Sequence, residues 1–355
     1  MAAALVLVVG PIPPPVHGAA RVTALVRDDV AAAGGDVLAL DTSGTGSGPR
    51  YHLTRLLAHG RAVLAVLRPR RRPVSVYVGG AGGLGLWYQL PVVAAARLAR
   101  RRLVFHHHSY AYLTAPDTAM RLIVRAGGRR MTHVTLGEPM SARLAERYPG
   151  AGPRLVCSNA GLLPPADTEV DRPAGEIVLA HLGNLSLHKG LDTVLATFRR
   201  LRSDGVPARL LLGGPVDPGE PARLLAEAQR EFGDLVEAVG PVRPEDVAAF
   251  HARSHVFLFP SRYRHEAEPL VVLEAARCGV PGLVFDIGCV GALVADPAWA
   301  VPPGADYPAA AARLLMQLCT EDSRRRTVAH FTARREASLA AHADLVTALQ
   351  QEGRG

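Results

Sequence analysis

The feature that most constrains this chain is an alternation of short runs, apolar at almost every position, with longer helix-patterned segments. LVLVVG (5–10), DVLAL (36–40), VSVYVG (74–79), RLVFHH (102–107), HVTLG (133–137) and RLVCSN (154–159) read as strands. Helical patterns fill the intervals at about 19–33, 51–67, 87–99, 117–128 and 139–148. A strand with one wet face alternates apolar and polar residues, whereas one covered on both faces is apolar throughout, so these runs predict a parallel sheet between helical layers. A proline-rich stretch, AGLLPPADTEVDRPAGE (160–176), interrupts the pattern and reads as a linker. The alternation then resumes with EIVLAHLG, ARLLLGG, LVEAVG, HVFLFPS and VPGLVFD, separated by helices at about 189–203, 220–232, 244–253 and 269–278. Further helices at about 308–320 and 322–350 follow.

The chain has 355 residues, too many for one comfortable core and suited to two domains. The expected fold class is α/β, with two Rossmann-like doubly wound domains facing across a cleft. The expected division is a first domain over 1–165, a linker over 166–176, a second domain over 177–335, and a terminal helix over 336–355 that packs back on the first domain. In such sheets ligands bind beyond the carboxyl ends of the strands, so the loops after the strands are where chemistry is sought.

The formal charge of +8 and pI near 9.8 favour anionic partners, though a basic protein with no polyanion partner has the same balance. No nucleic-acid recognition motif accompanies it, so no nucleic-acid partner is expected. Arg70, Arg71 and Arg72, then Arg100, Arg101 and Arg102, form short basic clusters that suit weak peripheral contact with an anionic membrane. Cys157, Cys278, Cys289 and Cys319 are scattered, which argues against a zinc ribbon or disulfide framework and fits a reducing cytoplasm. The opening MAAALVLVVG lacks a basic flank and reads as a first strand, not a signal peptide. No apolar run is long enough to span a bilayer.

RYRHEAEPLVVLEAARCGVP (262–281) raises a specific question, because Glu274 sits among residues suited to a dry interior. Pro269 suits the first position of a helix and Gly279 with Pro281 suits its end, giving a helix over about 269–278. Its amide groups near Leu270 and Val271 can hold an anion. Glu266 precedes the helix, and Glu274 lies one turn inside it, on a stripe with Leu270, Val271 and Cys278. A carboxylate there can accept two hydrogen bonds from a vicinal diol such as that of ribose. A solvated Glu274, or one paired with Arg277, is the plainer alternative.

HLGNLSLHKG (181–190) ends a strand and opens a helix. Of 40 lysine and arginine residues only Lys189 is lysine. Lysine is a compact point charge and arginine a planar fork, so a site that needs the former explains its retention; chance is the alternative. GPIPPPVHGAA (10–20) follows the first strand, and Gly18 would let backbone approach a phosphate or sugar closely. In HHHS (106–109), strand alternation puts His106 and His108 on one face and His107 on the other. No obvious third ligand completes a zinc site there.

GPIPPPVHG, HHHS, SNAGLLPP, GNLSLHKG and FPSRYRHEAEPLVVLEAARCGVP together resemble motifs of the retaining glycosyltransferases of family 4, which have the GT-B fold. The last segment carries that family's Glu-x7-Glu pattern as Glu266 and Glu274. The resemblance implies a nucleotide-diphosphate-sugar donor bound mainly to the second domain and an unidentified acceptor (glycan, lipid-linked or small molecule) against the first. It implies that Glu274 holds the ribose hydroxyls and Glu266 the donor sugar. Lys189 and the helix start at Glu268, Pro269 and Leu270 carry the diphosphate, Gly18 lets the first loop close over it, and Val242 lies beside the base. His108, or else His106, sits next to the transferring sugar. It also implies front-face attack with retention, no protein nucleophile and no obligatory metal or other cofactor. Two departures stand out. Asn184 occupies a position where the family often has arginine, so Arg262 or Arg264 is a candidate replacement. Gly288-Cys289-Val290-Gly291-Ala292 lacks the Gly-Gly and the nearby glutamate frequent there. A sugar-nucleotide epimerase of the same fold and a non-catalytic nucleotide-sugar binder are the competing classes.

Overall fold

A computed structural model of the chain describes residues 4–14, 18–70, 74–167 and 175–351. Arg71 and Arg72 of the first basic cluster, residues 15–17 of the first loop and residues 168–174 of the linker lie outside the described residues. The chain divides into two units, Met1–Leu162 with Glu336–Gly355, and Leu163–Arg335.

The first unit contains β1 (Leu5–Gly10), α1 (Gly18–Ala32), β2 (Asp36–Asp41), α2 (Gly48–Leu67), β3 (Val74–Gly80), α3 (Gly85–Leu98) and β4 (Arg102–His107). It continues through α4 (Ala111–Thr114), α5 (Thr118–Gly127), β5 (Thr132–Thr135), α6 (Glu138–Arg147) and β6 (Arg154–Val156). The six strands form a parallel sheet in the order β2-β1-β3-β4-β5-β6. β1 and β3 are buried along their whole length, whereas β2, at the edge, is partly exposed. This explains why DVLAL is bounded by Asp36 and Asp41. RLVCSN keeps only Arg154–Val156 as strand. The Ser158 hydroxyl accepts from the Ala160 amide and turns the backbone into a short 3-10 helix over Asn159–Leu162.

The second unit contains β7 (Ile177–Leu182), α7 (Leu191–Ser203), β8 (Ala208–Gly213), α8 (Glu220–Phe232), β9 (Val236–Ala238), α9 (Val247–Ala252) and β10 (Val256–Phe259). After these come α10 (Leu270–Arg277), β11 (Gly282–Phe285), β12 (Ala300–Val301), α11 (Tyr307–Leu318) and α12 (Glu321–Gln350). Its parallel sheet has the order β12-β11-β10-β7-β8-β9. β12 has only two residues, too short for a sequence pattern. The helix expected at 244–253 is a 3-10 turn over Pro244–Asp246 followed by α9.

Helix α12 starts in the second unit, and from Glu336 its residues belong to the first. Its Leu345, Val346 and Leu349 join Val6, Val8, Val22, Val26, Val30 and Tyr77 in the first unit's core. Each such leucine or valine contributes about 1.5–3 kcal/mol by leaving water. Gln350 also donates to the Val30 carbonyl, and Ser338 to the Ser158 carbonyl at 2.5 Å. Among the described residues no helix is long and apolar enough to cross a membrane.

Candidate active site

In each sheet the first strand lies between two others, and the chain leaves it and one neighbour in opposite directions along the sheet. In the second unit these strands are β7 and β10, which pair directly through Leu179–Val256 and Ala180–Phe257. β7 leads toward β8, and β10 leads toward β11. A crevice opens at the carboxyl ends of two strands that diverge in this way. The loop after β7 carries Lys189, and the loop after β10 carries Glu266.

The two loops are packed backbone against backbone. The Arg262 amide donates to the His188 carbonyl at 2.8 Å. Gly190 has φ +86°, and a Cβ there would lie 2.2 Å from the Pro260 carbonyl oxygen. Only glycine satisfies both conditions without displacing the Pro260 loop. The Lys189 Nζ then stands 2.5 Å from Glu266 Oε2, and the same oxygen accepts from the Ser261 hydroxyl at 3.1 Å. The ammonium is 5.7 Å from the centre of the Phe259 ring and 5.2 Å from that of Tyr263, within range of cation–π attraction. Glu266 is 9% exposed and Lys189 25%, so the pair is partly sheltered yet reachable. Ser261, Phe259 and Tyr263 escaped the sequence reading. The one signal was their position around the end of an apolar strand.

Helix α10 begins beside this pair. Pro269 has extended ψ (127°) and precedes the helix; it was expected as the first helical residue. Its missing N–H is harmless in either place, because first-turn amides have no intrahelical acceptor. Val272, Leu273, Ala275 and Ala276 face the interior. Leu270, Val271, Glu274 and Arg277 share the half-exposed face. Glu274 is therefore not sunk in the dry interior that its neighbours suggested. Cys278, placed on the same stripe from sequence, is buried just past the helix end. Arg277 directs its Nε to the Pro165 carbonyl at 2.9 Å.

The carboxylate of Glu268 is fully buried, with Arg334 at 3.6 Å, so what Glu268 can present to a ligand is backbone. Asn184 and Arg264 are exposed, and Val242 is half-buried next to Gly213 at the end of β8. Arg262 turns its guanidinium to both carboxylate oxygens of Asp192 (2.7 and 2.9 Å), to the Leu187 carbonyl and to Thr193. It thereby ties the start of α7 to the loop after β10. A cavity of about 500 Å³ opens beside this clip, lined by Ser261, Arg262, Phe285, Ile287, Asp306 and Tyr307 among others. Gly288 has φ +58°, and a Cβ there would meet the Glu266 carbonyl oxygen at 2.3 Å, so the 288–289 loop closes on the backbone of Glu266.

In the first unit Gly18 opens α1, with free space where a Cβ would be. His106 is buried and hydrogen-bonds Tyr77 through Nδ1 at 2.8 Å, and its ring lies 4.3 Å from that of the more accessible His108. Burial, with His108 and His107 adding to it, holds the His106 imidazole well below the ordinary histidine range. His107 points to the other face, where it joins Tyr112 (2.8 Å) and His133 (2.9 Å). Burial pushes His133 down to about 4, so this chain of rings is neutral. Of the two same-face histidines, His106 is fully buried and His108 half-buried. A cavity of about 220 Å³ lies where β1 and β3 diverge, lined by Pro11, Thr42, Tyr51, Arg55, Gly79 and Gln89 among others. Among the described residues, no group of three or more histidine, cysteine, aspartate or glutamate side chains is arranged to hold a metal ion.

Two doubly wound units with six-stranded parallel sheets, one carrying a lysine–glutamate pair at its switch point, define a class of protein, and comparison with known proteins meets it from outside. The chain superposes on sucrose-phosphate synthase from Thermosynechococcus elongatus with a TM-score of 0.67 at 18% identity, covering 97% of this chain and 98% of that one. It superposes on the Anabaena protein HepE in complex with UDP with a TM-score of 0.64 at 16% identity, covering 97% and 99%. This is the GT-B fold. Residues 166–334, most of the second unit, match the family "Glycosyl transferases group 1". A D-inositol 3-phosphate glycosyltransferase of Rhodococcus erythropolis is 34% identical over 127 residues, which is 34% of this chain and 28% of the relative. The chain thus matches little more than a quarter of that relative's length.

Proposed function

We propose that the protein is a retaining glycosyltransferase that moves a sugar from a nucleoside-diphosphate sugar to an acceptor hydroxyl. The observation that carries this reading is the Lys189–Glu266 pair, 2.5 Å apart, at the switch point and beside the start of α10. Cleavage of the anomeric bond builds negative charge on the diphosphate and positive charge on the sugar. Lys189 and the first-turn amides of α10 are placed to take up the negative charge, and fixed charges and dipoles of this kind commonly supply the largest catalytic term. Glu266, relieved of its lysine by the diphosphate, is free to accept hydroxyls of the donor sugar. Glu274, on the accessible face of α10, accepts the ribose diol, and Val242 borders the base. Asn184 offers a neutral hydrogen bond to the diphosphate. Arg262 is engaged with Asp192, which leaves exposed Arg264 as the candidate second cation. Gly18 and His108 serve from the first unit.

In the reaction the bond from the anomeric carbon to the phosphate oxygen breaks, and the acceptor oxygen bonds that carbon on the same face. The acceptor proton passes to the departing phosphate oxygen, so no protein nucleophile is required. Glu266 and Glu274 are binding carboxylates in this scheme, not a glycosidase acid–nucleophile pair. Lys189 and the helix supply the charge compensation that a divalent ion would otherwise bring, so activity should survive a chelator.

The test is thermal unfolding with UDP, GDP, ADP and dTDP, UDP first because HepE, a structural relative, is in complex with it. A ligand at about 100 times its dissociation constant adds about 2.7 kcal/mol of stability. One diphosphate should shift the transition clearly, and Glu274→Ala should abolish the shift. A wild-type protein that responds to none of the four, with or without a sugar attached, contradicts the reading.

A further inference from the structure

Helix α2 carries leucine on the side turned away from the protein. Its inward face is made by His59, Ala62 and Val66, all buried. On the opposite face Leu53, Leu56, Leu57, Leu64 and Leu67 are 55, 57, 55, 71 and 40% exposed with the whole chain present. They recur at spacings that align on one side of a helix. Isolated exposed leucines need no explanation, but a continuous stripe of five does. Arg50, Arg61 and Arg68, all exposed, flank the stripe along one edge by the same helical geometry. The helix contains no acid. The wider sequence has the same bias: between Asp41 and Asp117 the chain has eleven arginines and no aspartate or glutamate. At the start of the neighbouring α3, Leu84 and Trp87 are 66 and 49% exposed, next to Tyr88, whose hydroxyl meets His52 of α2 at 2.8 Å.

We propose that α2 seats the first unit on an anionic lipid surface, leucines in the acyl boundary and arginines among the headgroups. The helix is 20 residues long, about 30 Å, and its outward face combines the apolar stripe with the cationic edge that interfacial helices use. The charge decides the occupant. A second copy docked on the same face would bring its own arginines against these, with no acid on the helix to pair with them. A neutral apolar partner would leave the arginines unused, whereas an anionic bilayer uses both features. The inference does not depend on the donor assignment.

Sedimentation with vesicles tests it, using the full chain and phosphatidylcholine vesicles with or without phosphatidylglycerol. The protein should bind only the anionic vesicles, and less so as salt rises. Arg61→Gln and Arg68→Gln should each lower the partition coefficient about five-fold. Leu56→Ser/Leu57→Ser/Leu64→Ser should lower it more than about ten-fold. Both sets should keep the unfolding temperature and the nucleotide-diphosphate shift of the parent, which separates failure of this inference from failure of the donor reading. Equal binding to neutral and anionic vesicles, no binding to either, or full binding by the leucine variant overturns the proposal. So does a dimer in sedimentation velocity that the leucine variant converts to a monomer, which would give the face to a second copy.

Discussion

The Lys189–Glu266 pair allows stability and catalysis to be pulled apart. Lys189→Met leaves the Glu266 carboxylate, 9% exposed, with the Ser261 hydroxyl at 3.1 Å and no cation. Stripping the partner from a fully buried charge costs about 3–5 kcal/mol. Because the Lys189 side is 25% exposed, water reaches the carboxylate in its absence, which reduces the cost to about 2 kcal/mol. For a unit of this size the unfolding transition should fall by about 4–8 °C. Glu266→Gln on the Lys189→Met background removes the stranded charge and should recover most of that loss. The rate should not recover with it, because the diphosphate still lacks its cation; loss of one such preorganised group costs about 10²–10³ in rate. The assays are thermal unfolding of the two singles and the double, and sugar transfer or donor hydrolysis once the nucleotide is known. A double variant as unstable as Lys189→Met, or one whose rate returns with its stability, refutes the reasoning.

Gly190→Ala should destabilise by about 1–3 kcal/mol and weaken nucleotide-diphosphate binding, since a Cβ at φ +86° lies 2.2 Å from the Pro260 oxygen; an unchanged unfolding temperature would show that the two loops separate freely. Arg262→Ala should cost less than about 1 kcal/mol, as its partner Asp192 and it are both largely solvated, and should leave the diphosphate shift in place; loss of that shift would make Arg262 a ligand residue. Burial, opposed by the Leu258 carbonyl, holds His181 down to about 4. The unfolded chain titrates near pH 6.5, so it takes up this proton first as pH falls, and the stability that neutral His181 contributes above that value is lost toward pH 4. Between about pH 6.5 and pH 5 the loss is about 2 kcal/mol; urea unfolding across that window should show it together with the losses from buried His106, His107 and His133, His181→Asn should make the profile shallower by about that amount, and a variant with the parent's slope would contradict the assignment.

The fold was legible because parallel strands buried on both faces leave an unmistakable record. LVLVVG and RLVFHH have the same bounds in sequence and structure. What escaped was set by packing over distance. β12 is recognisable only through Val284–Ala300 and Phe285–Val301 pairing. Within α10, the apolar letters around Glu274 concealed a helix with two faces, and the side on which Glu274 falls follows from its 3.6-residue turn, not from the company it keeps along the chain. The lone lysine pointed to Lys189, but its companion contacts with Ser261, Phe259 and Tyr263 require β7 and β10 to be neighbours. Nothing local in either segment states that pairing. The engagement of Arg262 with Asp192 is of the same kind: the two lie far apart in sequence and meet because α7 starts where the loop after β10 passes.

The passage of α12 from one unit into the other also has a consequence for the order in which the protein can be built. Residues 163–335 form an uninterrupted unit whose last contributing segment is made before the closing residues of the first. The strands of the first unit leave the ribosome earliest, yet Leu345, Val346 and Leu349 of its core are translated only after the whole second unit. During synthesis the earlier-made sheet must wait with Val6, Val8, Val26 and Tyr77 incompletely covered, while the later-made unit can finish first. A chain interrupted anywhere before residue 336 would lose the covering that α12 gives to β1, laid down more than 300 residues before, and to Tyr77 of β3. Slow passage through the second unit would lengthen the time in which that apolar surface is open to aggregation or to a chaperone.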